Sequence, residues 1–237
     1  MISLYALTVA TLAVVASAHP VPLETRQSWS TGWWGQEFLT YGCQAPVIFV
    51  FAKATLEPGN LGNTVGPLMS NGLKTVFGVE NVETQGVNYW GLPDGNFCPG
   101  GAPIMGIRDT NPKPSSHLVV YYNSQGAALV HRAIEGLEQS VKDKIAGVVT
   151  FGDTQAWQDG GRIKDYPPEK TLIICNIGDA LCTGTIIVVP IHFDYTKWVP
   201  TAIQFLTTML SNANATDPWP TDMVPSFSIP PAIDLEV

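Results

Sequence analysis

The stretch VVYYNSQGAALVHRAI, residues 119–134, passes from a strand pattern to a helix pattern within a few residues. Its first part continues an apolar run typical of a buried strand, and its last part places small and apolar residues on one helical face. Ser124 lies between the two, at a corner followed by Gly126. In many hydrolases such a corner, with the pattern Gly-x-Ser-x-Gly, exposes a nucleophilic serine, although Tyr122 replaces the first glycine here.

Further strands and helices flank this corner on both sides. Apolar runs predict strands at 46–54, 117–122, 144–152 and 171–178, and VETQGV, residues 82–87, is interpreted as a further short strand. Helical patterns cover 65–78, 125–139 and 200–211. Alternating strands and helices predict an α/β protein, a three-layer α/β/α sandwich on a largely parallel sheet.

The two ends of the chain differ from this central domain, which we expect over 39–211. Residues 1–18, MISLYALTVATLAVVASA, are an apolar run with a small-x-small ending, which predicts a signal peptide and a secreted, extracellular protein. A membrane anchor is disfavoured because the run is short and prolines follow at once. Residues 19–38 are a candidate pro-segment and N-terminal extension. Residues 212–237 are predicted to form a proline-rich extended tail, with Asn214 as a glycosylation acceptor.

Charge and cysteine content restrict the partners and the compartment. The formal net charge of -8, with 14% charged residues, argues against a nucleic-acid partner, which would require a basic face. The four cysteines suit disulfides in an oxidising compartment, and four cysteines allow three pairings. Cys175 and Cys182 can close a small loop, which leaves Cys43 with Cys98. A zinc site is disfavoured because no Cys-x-x-Cys pair occurs, and no metal is expected.

The serine corner requires a histidine base if Ser124 is a nucleophile. His19 lies near the processed segment, and His117 begins the strand that leads to Ser124, so it falls at the wrong end. His131 lies two turns into the following helix and is interpreted as a surface or packing residue. His192 follows the apolar run TIIVVPI and is the best candidate for the base, with a structural loop histidine as the alternative.

An orienting carboxylate is expected between the serine and this histidine, in the chain order of α/β-hydrolases. Asp179, in CNIGDALC, follows a strand inside the proposed disulfide loop, although it could also serve only as a turn former. Asp153, Asp159 and Asp165 belong to a polar stretch interpreted as a solvated loop. Asp194 is too close to His192 along the chain to be the first choice.

An oxyanion hole requires two donors. The backbone amide of Gln125 follows the nucleophile and is one candidate. Thr55, in AKATLEPGN at the end of an early strand, could offer both its amide and its hydroxyl. It could equally serve only to end the strand.

Taken together, these segments resemble the fungal cutinase family of serine esterases over about residues 40–211. The segment FAKATLEPGN resembles the family's first-strand loop. The most specific match is the block Cys-Asn-x-Gly-Asp-x-x-Cys-x-Gly with a downstream Pro-x-His, here starting at Cys175. The resemblance implies a compact α/β-hydrolase with a five-stranded parallel sheet and little lid. It also implies a monomer without a cofactor that hydrolyses cutin, a polyester of hydroxy fatty acids, and short-chain esters.

Carried over to this chain, the resemblance makes Ser124 the nucleophile, Asp179 the orienting acid and His192 the base. It also implies that Thr55 and Gln125 form the oxyanion hole, that Asn96 steadies the oxyanion hydroxyl, and that Cys175 pairs with Cys182.

Two departures from the family predict reduced activity. Tyr122 stands where the family has glycine, and the segment 103–116 is too short and too rich in proline for the family's helix. The alternative functions are a non-enzymatic binder of apolar or cell-wall surfaces, an acetylxylan esterase and a small lipase.

Overall fold

The computed structural model describes residues 30–41, 45–97 and 117–216. The predicted signal peptide, the possible short helix at 103–109, most of the tail, Cys43 and Cys98 lie outside these residues. Among the residues described, no helix combines the length and the apolar character needed to cross a bilayer.

A parallel sheet forms the centre of the molecule. Its five strands are β1 (Val47–Ala52), β2 (Val82–Gly86), β3 (His117–Asn123), β4 (Ile145–Phe151) and β5 (Thr171–Ile174). They lie in the order β2-β1-β3-β4-β5, and every neighbouring pair is parallel. Every residue of β1 and β4 is buried, as expected for strands covered on both faces.

Five α-helices accompany the sheet within the described residues. They are α1 (Glu37–Tyr41), α2 (Val65–Phe77), α3 (Gln125–Glu135), α4 (Gln139–Lys142) and α5 (Val199–Thr216). Side chains of α2 and α5 form one core with Phe49 and Phe51 of β1, whereas α3 forms a second core with Ile48 and Val50. Successive residues of β1 therefore serve opposite faces of the sheet, and the predicted α/β layering is confirmed. Each fully buried side chain of this size contributes about 1.5–3 kcal/mol.

Two predicted helix boundaries are wrong. The helix expected over 125–139 ends at Glu135, because Gly136 follows and the short helix α4 begins separately. The last helix continues beyond Ser211 to Thr216, so residues 212–216 do not belong to an extended tail. Asparagine and alanine are tolerated in a helix, and the first proline after it is Pro218. Asn214 therefore lies in a helix.

One apolar segment forms less strand than predicted, and a second, for which no strand was predicted, forms none. The strand expected over 171–178 ends at Ile174. The run at 185–191 forms no strand and leads into a short 3-10 turn, Pro190–Phe193. This turn carries His192, beyond the carboxyl end of the sheet.

Candidate active site

The corner at Ser124 is a strained strand-to-helix turn. Ser124 has φ 57° and ψ -118°, a conformation that costs a non-glycine residue free energy and that concentrates at functional sites. Its amide donates to the Phe151 carbonyl at 2.8 Å. Gly126 is required two residues later, because a Cβ there would lie 2.2 Å from the Ala52 carbonyl oxygen. Helix α3 therefore begins directly against the end of β1.

The backbone around Tyr122 retains its place in the sheet. Tyr122 pairs with Ala52 of β1 and with Thr150 of β4, in register with the residues on either side. The irregularity between β3 and β4 lies at the opposite end of β3, between Leu118 and Val119. The strained corner thus forms with a tyrosine in the position where the family has glycine.

A buried acid–base pair lies beyond the sheet. His192 Nδ1 is 2.7 Å from Asp179 Oδ2, and the two residues are 5% and 2% exposed. The other carboxylate oxygen of Asp179 accepts the Leu181 amide at 3.1 Å. The carboxylate favours the tautomer of His192 that carries its hydrogen on Nδ1, and this tautomer leaves Nε2 free to accept a proton. Gly152 makes room for the imidazole, since a Cβ there would lie 2.6 Å from His192 Cε1.

Tyr195 belongs to this pair and was not identified from the sequence. Its hydroxyl donates to Asp179 Oδ2 at 2.5 Å and accepts the Asn176 amide at 3.2 Å. Its ring stacks on Phe151 with centroids 5.2 Å apart. Burial, and next the hydrogen bond to Asp179, raise the pKa of Tyr195 well above its usual range, so the hydroxyl remains a donor. No periodicity or motif singles out this tyrosine among the other aromatic residues.

The loop that holds Asp179 is cross-linked. Cys175 and Cys182 form the predicted disulfide, with Cα atoms 6.1 Å apart. The Asn176 amide group donates to the carbonyls of Ile191 and Asp194, at 2.9 and 3.1 Å. The disulfide and Asn176 therefore hold the acid and the base in one unit.

The predicted oxyanion residues form a hydrogen-bonded chain. Gln125 Nε2 donates to Asn96 Oδ1 at 3.1 Å and to the Leu92 carbonyl at 2.8 Å. Asn96 Nδ2 donates to Thr55 Oγ1 at 3.4 Å. Because the Thr55 oxygen accepts from Asn96, its own hydrogen is available to an oxyanion in the cavity.

One cavity of about 630 Å³ brings these groups together, with Ser124, Thr55, Asn96 and His192 in its lining. Five of its lining side chains are large, apolar and exposed, and we call them the apolar rim: Leu56, Phe97, Ile186, Val188 and Phe193.

The structure decides between the two interpretations of His131 and corrects that of Asp153. His131 is fully buried and lies 2.8 Å from Asp153, so it is a packing residue and not a surface residue. Asp153 is itself fully buried, although it was assigned to a solvated loop. His117 begins β3, at the end of the strand opposite Ser124. The exposed Asp194 pairs with Lys197 instead of with His192.

A parallel sheet with a strained serine corner, and a histidine–carboxylate pair beside the same cavity, define the α/β-hydrolase class. The model of the family described as Cutinase matches residues 43–210. A cutinase of Pyricularia oryzae is 44% identical over 212 residues, covering 85% of this chain and 97% of that protein. A probable cutinase of Aspergillus terreus is 37% identical, covering 89% and 100%.

Solved structures agree with these sequence matches. A Trichoderma reesei cutinase in complex with a phosphonate inhibitor superposes with a TM-score of 0.66, at 27% identity, over 76% of this chain and 80% of that one. A cutinase-like protein from Cryptococcus, at 17% identity and a TM-score of 0.56, shares the fold. The chain belongs to the cutinase family. It is a carboxylic ester hydrolase of the serine esterase type.

Proposed function

We propose that Ser124, His192 and Asp179 form the catalytic triad of this esterase. The observation that supports this most directly is the buried His192–Asp179 hydrogen bond beside the cavity that Ser124 also lines. The strained backbone of Ser124 and the raised pKa of Tyr195 support the same assignment.

In this mechanism His192 Nε2 accepts the Ser124 proton while Oγ attacks the carbonyl carbon of the ester. The carbonyl electron pair moves onto oxygen, and the resulting oxyanion accepts hydrogen bonds from the Gln125 amide and from Thr55. Collapse of the intermediate expels the alcohol, which takes its proton from His192. Water then attacks the acyl-enzyme with the same base, which releases the acid and restores the serine. No cofactor takes part.

Asn96 acts as a positioning residue in this mechanism. It is fixed by Gln125 and donates to Thr55, which turns the Thr55 hydrogen away from Asn96. An oxyanion donor that is oriented before the reaction costs no reorganisation during it.

The substrates we propose are cutin and short-chain esters. The relatives reported above are named as cutinases, and the apolar rim offers exposed aliphatic and aromatic contacts to acyl chains. Side chains of this kind around a cavity favour an apolar polyester over a sugar ester. We propose that the apolar rim is open to solvent and that little or no lid covers Ser124. An acetylxylan esterase or a small lipase is the less suitable assignment.

We also propose a secreted extracellular monomer that loses residues 1–18 on export. Its catalytic domain begins near residue 39 and includes all of α5, beyond the boundary at 211 that was first expected. Glycosylation at Asn214 remains a prediction, and the acceptor asparagine lies on helix α5.

The test is release of p-nitrophenol from p-nitrophenyl butyrate and from longer esters. Ser124→Ala is expected to lose nearly all activity, because it removes the attacking oxygen. Ser140→Ala, an exposed serine on α4, is the matched control and retains the parent rate. An organophosphonate should label the parent and the Ser140→Ala variant, and leave Ser124→Ala unlabelled. Equal rates for parent and Ser124→Ala would overturn the assignment, and an inert, unlabelled parent would favour the non-enzymatic binder.

Reduced activity is the remaining part of the proposal. Tyr122→Gly restores the family residue beside the nucleophile and is expected to raise kcat. A rate unchanged by this substitution would show that Tyr122 does not limit the nucleophile.

A further inference from the structure

A second cluster of polar side chains lies behind the nucleophile helix. His131 and Glu135 occupy consecutive turns of α3, and Asp153 and Asp159 follow β4. His131 lies seven positions after Ser124 along the chain, about 10 Å along the helix axis. The proposed catalytic mechanism uses none of these four residues.

One ring nitrogen of His131 has no hydrogen bond. His131 is fully buried, and its Nδ1 lies 2.8 Å from Asp153 Oδ2. Its Nε2 lies 3.2 Å from Asp159 Oδ2 and 3.7 Å from Glu135 Oε1, and it hydrogen-bonds to neither. Asp159 Oδ2 is ion-paired with Arg132 Nη2 at 2.8 Å. A fully buried ring nitrogen thus faces two carboxylate oxygens and hydrogen-bonds to neither.

We propose that His131, Glu135 and Asp159 bind a divalent transition-metal ion of the zinc type, with water as the fourth ligand. Their ligand atoms all lie within 4.8 Å of one another. Tetrahedral zinc, with bonds of about 2.0–2.2 Å, sets neighbouring ligand atoms about 3.3–3.6 Å apart. The measured separations of 3.2 and 3.7 Å lie close to that spacing.

Asp153 supplies the support that a ligating histidine requires. A carboxylate on Nδ1 places the hydrogen there and directs the Nε2 lone pair to the metal, as in carboxylate–histidine–zinc sites. The Glu135 and Asp159 side chains are 18% and 23% exposed, which gives an ion and its water a path from solvent.

The local charge also favours a divalent cation. Three carboxylates surround the His131 imidazole, and one guanidinium, that of Arg132, pairs with two of them, Glu135 and Asp159. Arg132 also donates to Glu135 Oε1 at 2.9 Å, so an ion displaces it from Asp159 and from that oxygen. It remains anchored, because it donates to Glu135 Oε2 at 2.8 Å and to Gln155 Oε1 at 2.6 Å. The imidazole selects zinc, cobalt or nickel over magnesium and calcium, which prefer oxygen ligands.

The test is titration of chelator-treated full-length protein with Zn²⁺, followed by calorimetry and by thermal unfolding. We expect one ion per chain with micromolar affinity or better, a higher Tm with zinc, and no binding of Mg²⁺ or Ca²⁺ at the same concentrations. Co²⁺ should produce the visible absorption of a tetrahedral site. Absence of zinc binding would overturn the proposal.

Substitutions locate the site. Asp159→Asn and, independently, Glu135→Gln should each weaken zinc binding at least tenfold, whereas Glu138→Gln, exposed and three residues beyond the end of α3, retains the parent affinity. If zinc binds at His192 instead, it should inhibit ester hydrolysis, and its binding should be unaffected by either substitution. That result would also overturn the proposal. Zinc in the proposed site leaves ester hydrolysis near the parent rate, so this test is independent of the triad assignment.

Discussion

Replacing Tyr195 with phenylalanine tests how the buried acid–base pair is held. The change removes one hydroxyl and retains the ring that stacks on Phe151. Two hydrogen bonds are lost, one to the Asp179 carboxylate and one from the Asn176 amide. A hydrogen bond to a charged group contributes about 1.5–3 kcal/mol, and an unsatisfied buried amide costs about 1–3 kcal/mol. We expect Tyr195→Phe to lower the free energy of unfolding by about 3 kcal/mol.

The same substitution should change the pH dependence of the reaction. The Tyr195 hydroxyl and His192 Nδ1 both donate to Asp179 Oδ2. Without the hydroxyl, that oxygen interacts more strongly with the imidazolium, so the protonated, inactive form of the base persists to higher pH. If about 0.7 kcal/mol of the lost interaction passes to the imidazolium, the acid limb of kcat/KM moves up by about 0.5 pH unit.

The assay is the kcat/KM profile for p-nitrophenyl butyrate between pH 5 and 9, with urea unfolding in parallel. Tyr166→Phe is the matched control, because its hydroxyl is also buried and donates to the Ile145 carbonyl, away from the cavity. The control should lose about 1 kcal/mol and retain the parent profile. A Tyr195→Phe variant that loses stability without moving its acid limb would show that Tyr195 only supports the fold. A downward movement would refute the electrostatic argument.

Three further predictions concern the oxyanion, the disulfide loop and alkaline stability. Thr55→Val should lower kcat about 10²–10³-fold with little change in KM, and Thr55→Ser should retain activity; equal rates for both variants would remove the hydroxyl from the mechanism. Replacing both Cys175 and Cys182 with serine should cost about 2.5 kcal/mol in urea unfolding, because the closed loop is short, and a cost near zero would contradict this. Burial raises the pKa of Tyr166 above its ordinary value, so its contribution to stability is complete below about pH 10 and is lost as pH rises from there towards the folded-state value. The free energy of unfolding should therefore fall between pH 9 and 11. Tyr166→Phe should make this fall with pH less steep, by up to about 1.4 kcal/mol per pH unit, and equal slopes for parent and variant would contradict the role of Tyr166.

The layered fold could be predicted because most strands are continuous apolar runs between helical segments, although β2, VETQG, is polar. The run at 46–54 shows this well, since β1 is buried on both faces and divides its side chains between two cores. The helix end at Thr216 was missed, because a segment rich in asparagine and alanine carries no strong signal for helix or coil.

The candidate site could be predicted where a local motif carries the chemistry. The corner at Ser124 and the block around Asp179 are such motifs. Tyr195 and the His131–Asp153 pair could not be predicted, because their contacts depend on how distant segments pack. Asp153 shows why polarity misleads: it begins a polar stretch, yet the end of a parallel strand buries it against a helix.

The close contact between Gly126 and Ala52 has a mechanical consequence. It fixes the start of α3 against the end of β1, so one piece of the structure holds the nucleophile, Gln125 and the chain leading to Thr55. A second piece, closed by the disulfide and by Asn176, holds the base and its acid. The two pieces meet at the end of β4, where Phe151 accepts from the Ser124 amide and Gly152 lies against the His192 ring. A side chain added at this joint would misalign proton transfer and leave the apolar rim unchanged, so a loss of proton transfer and a loss of substrate binding are separable in kinetics.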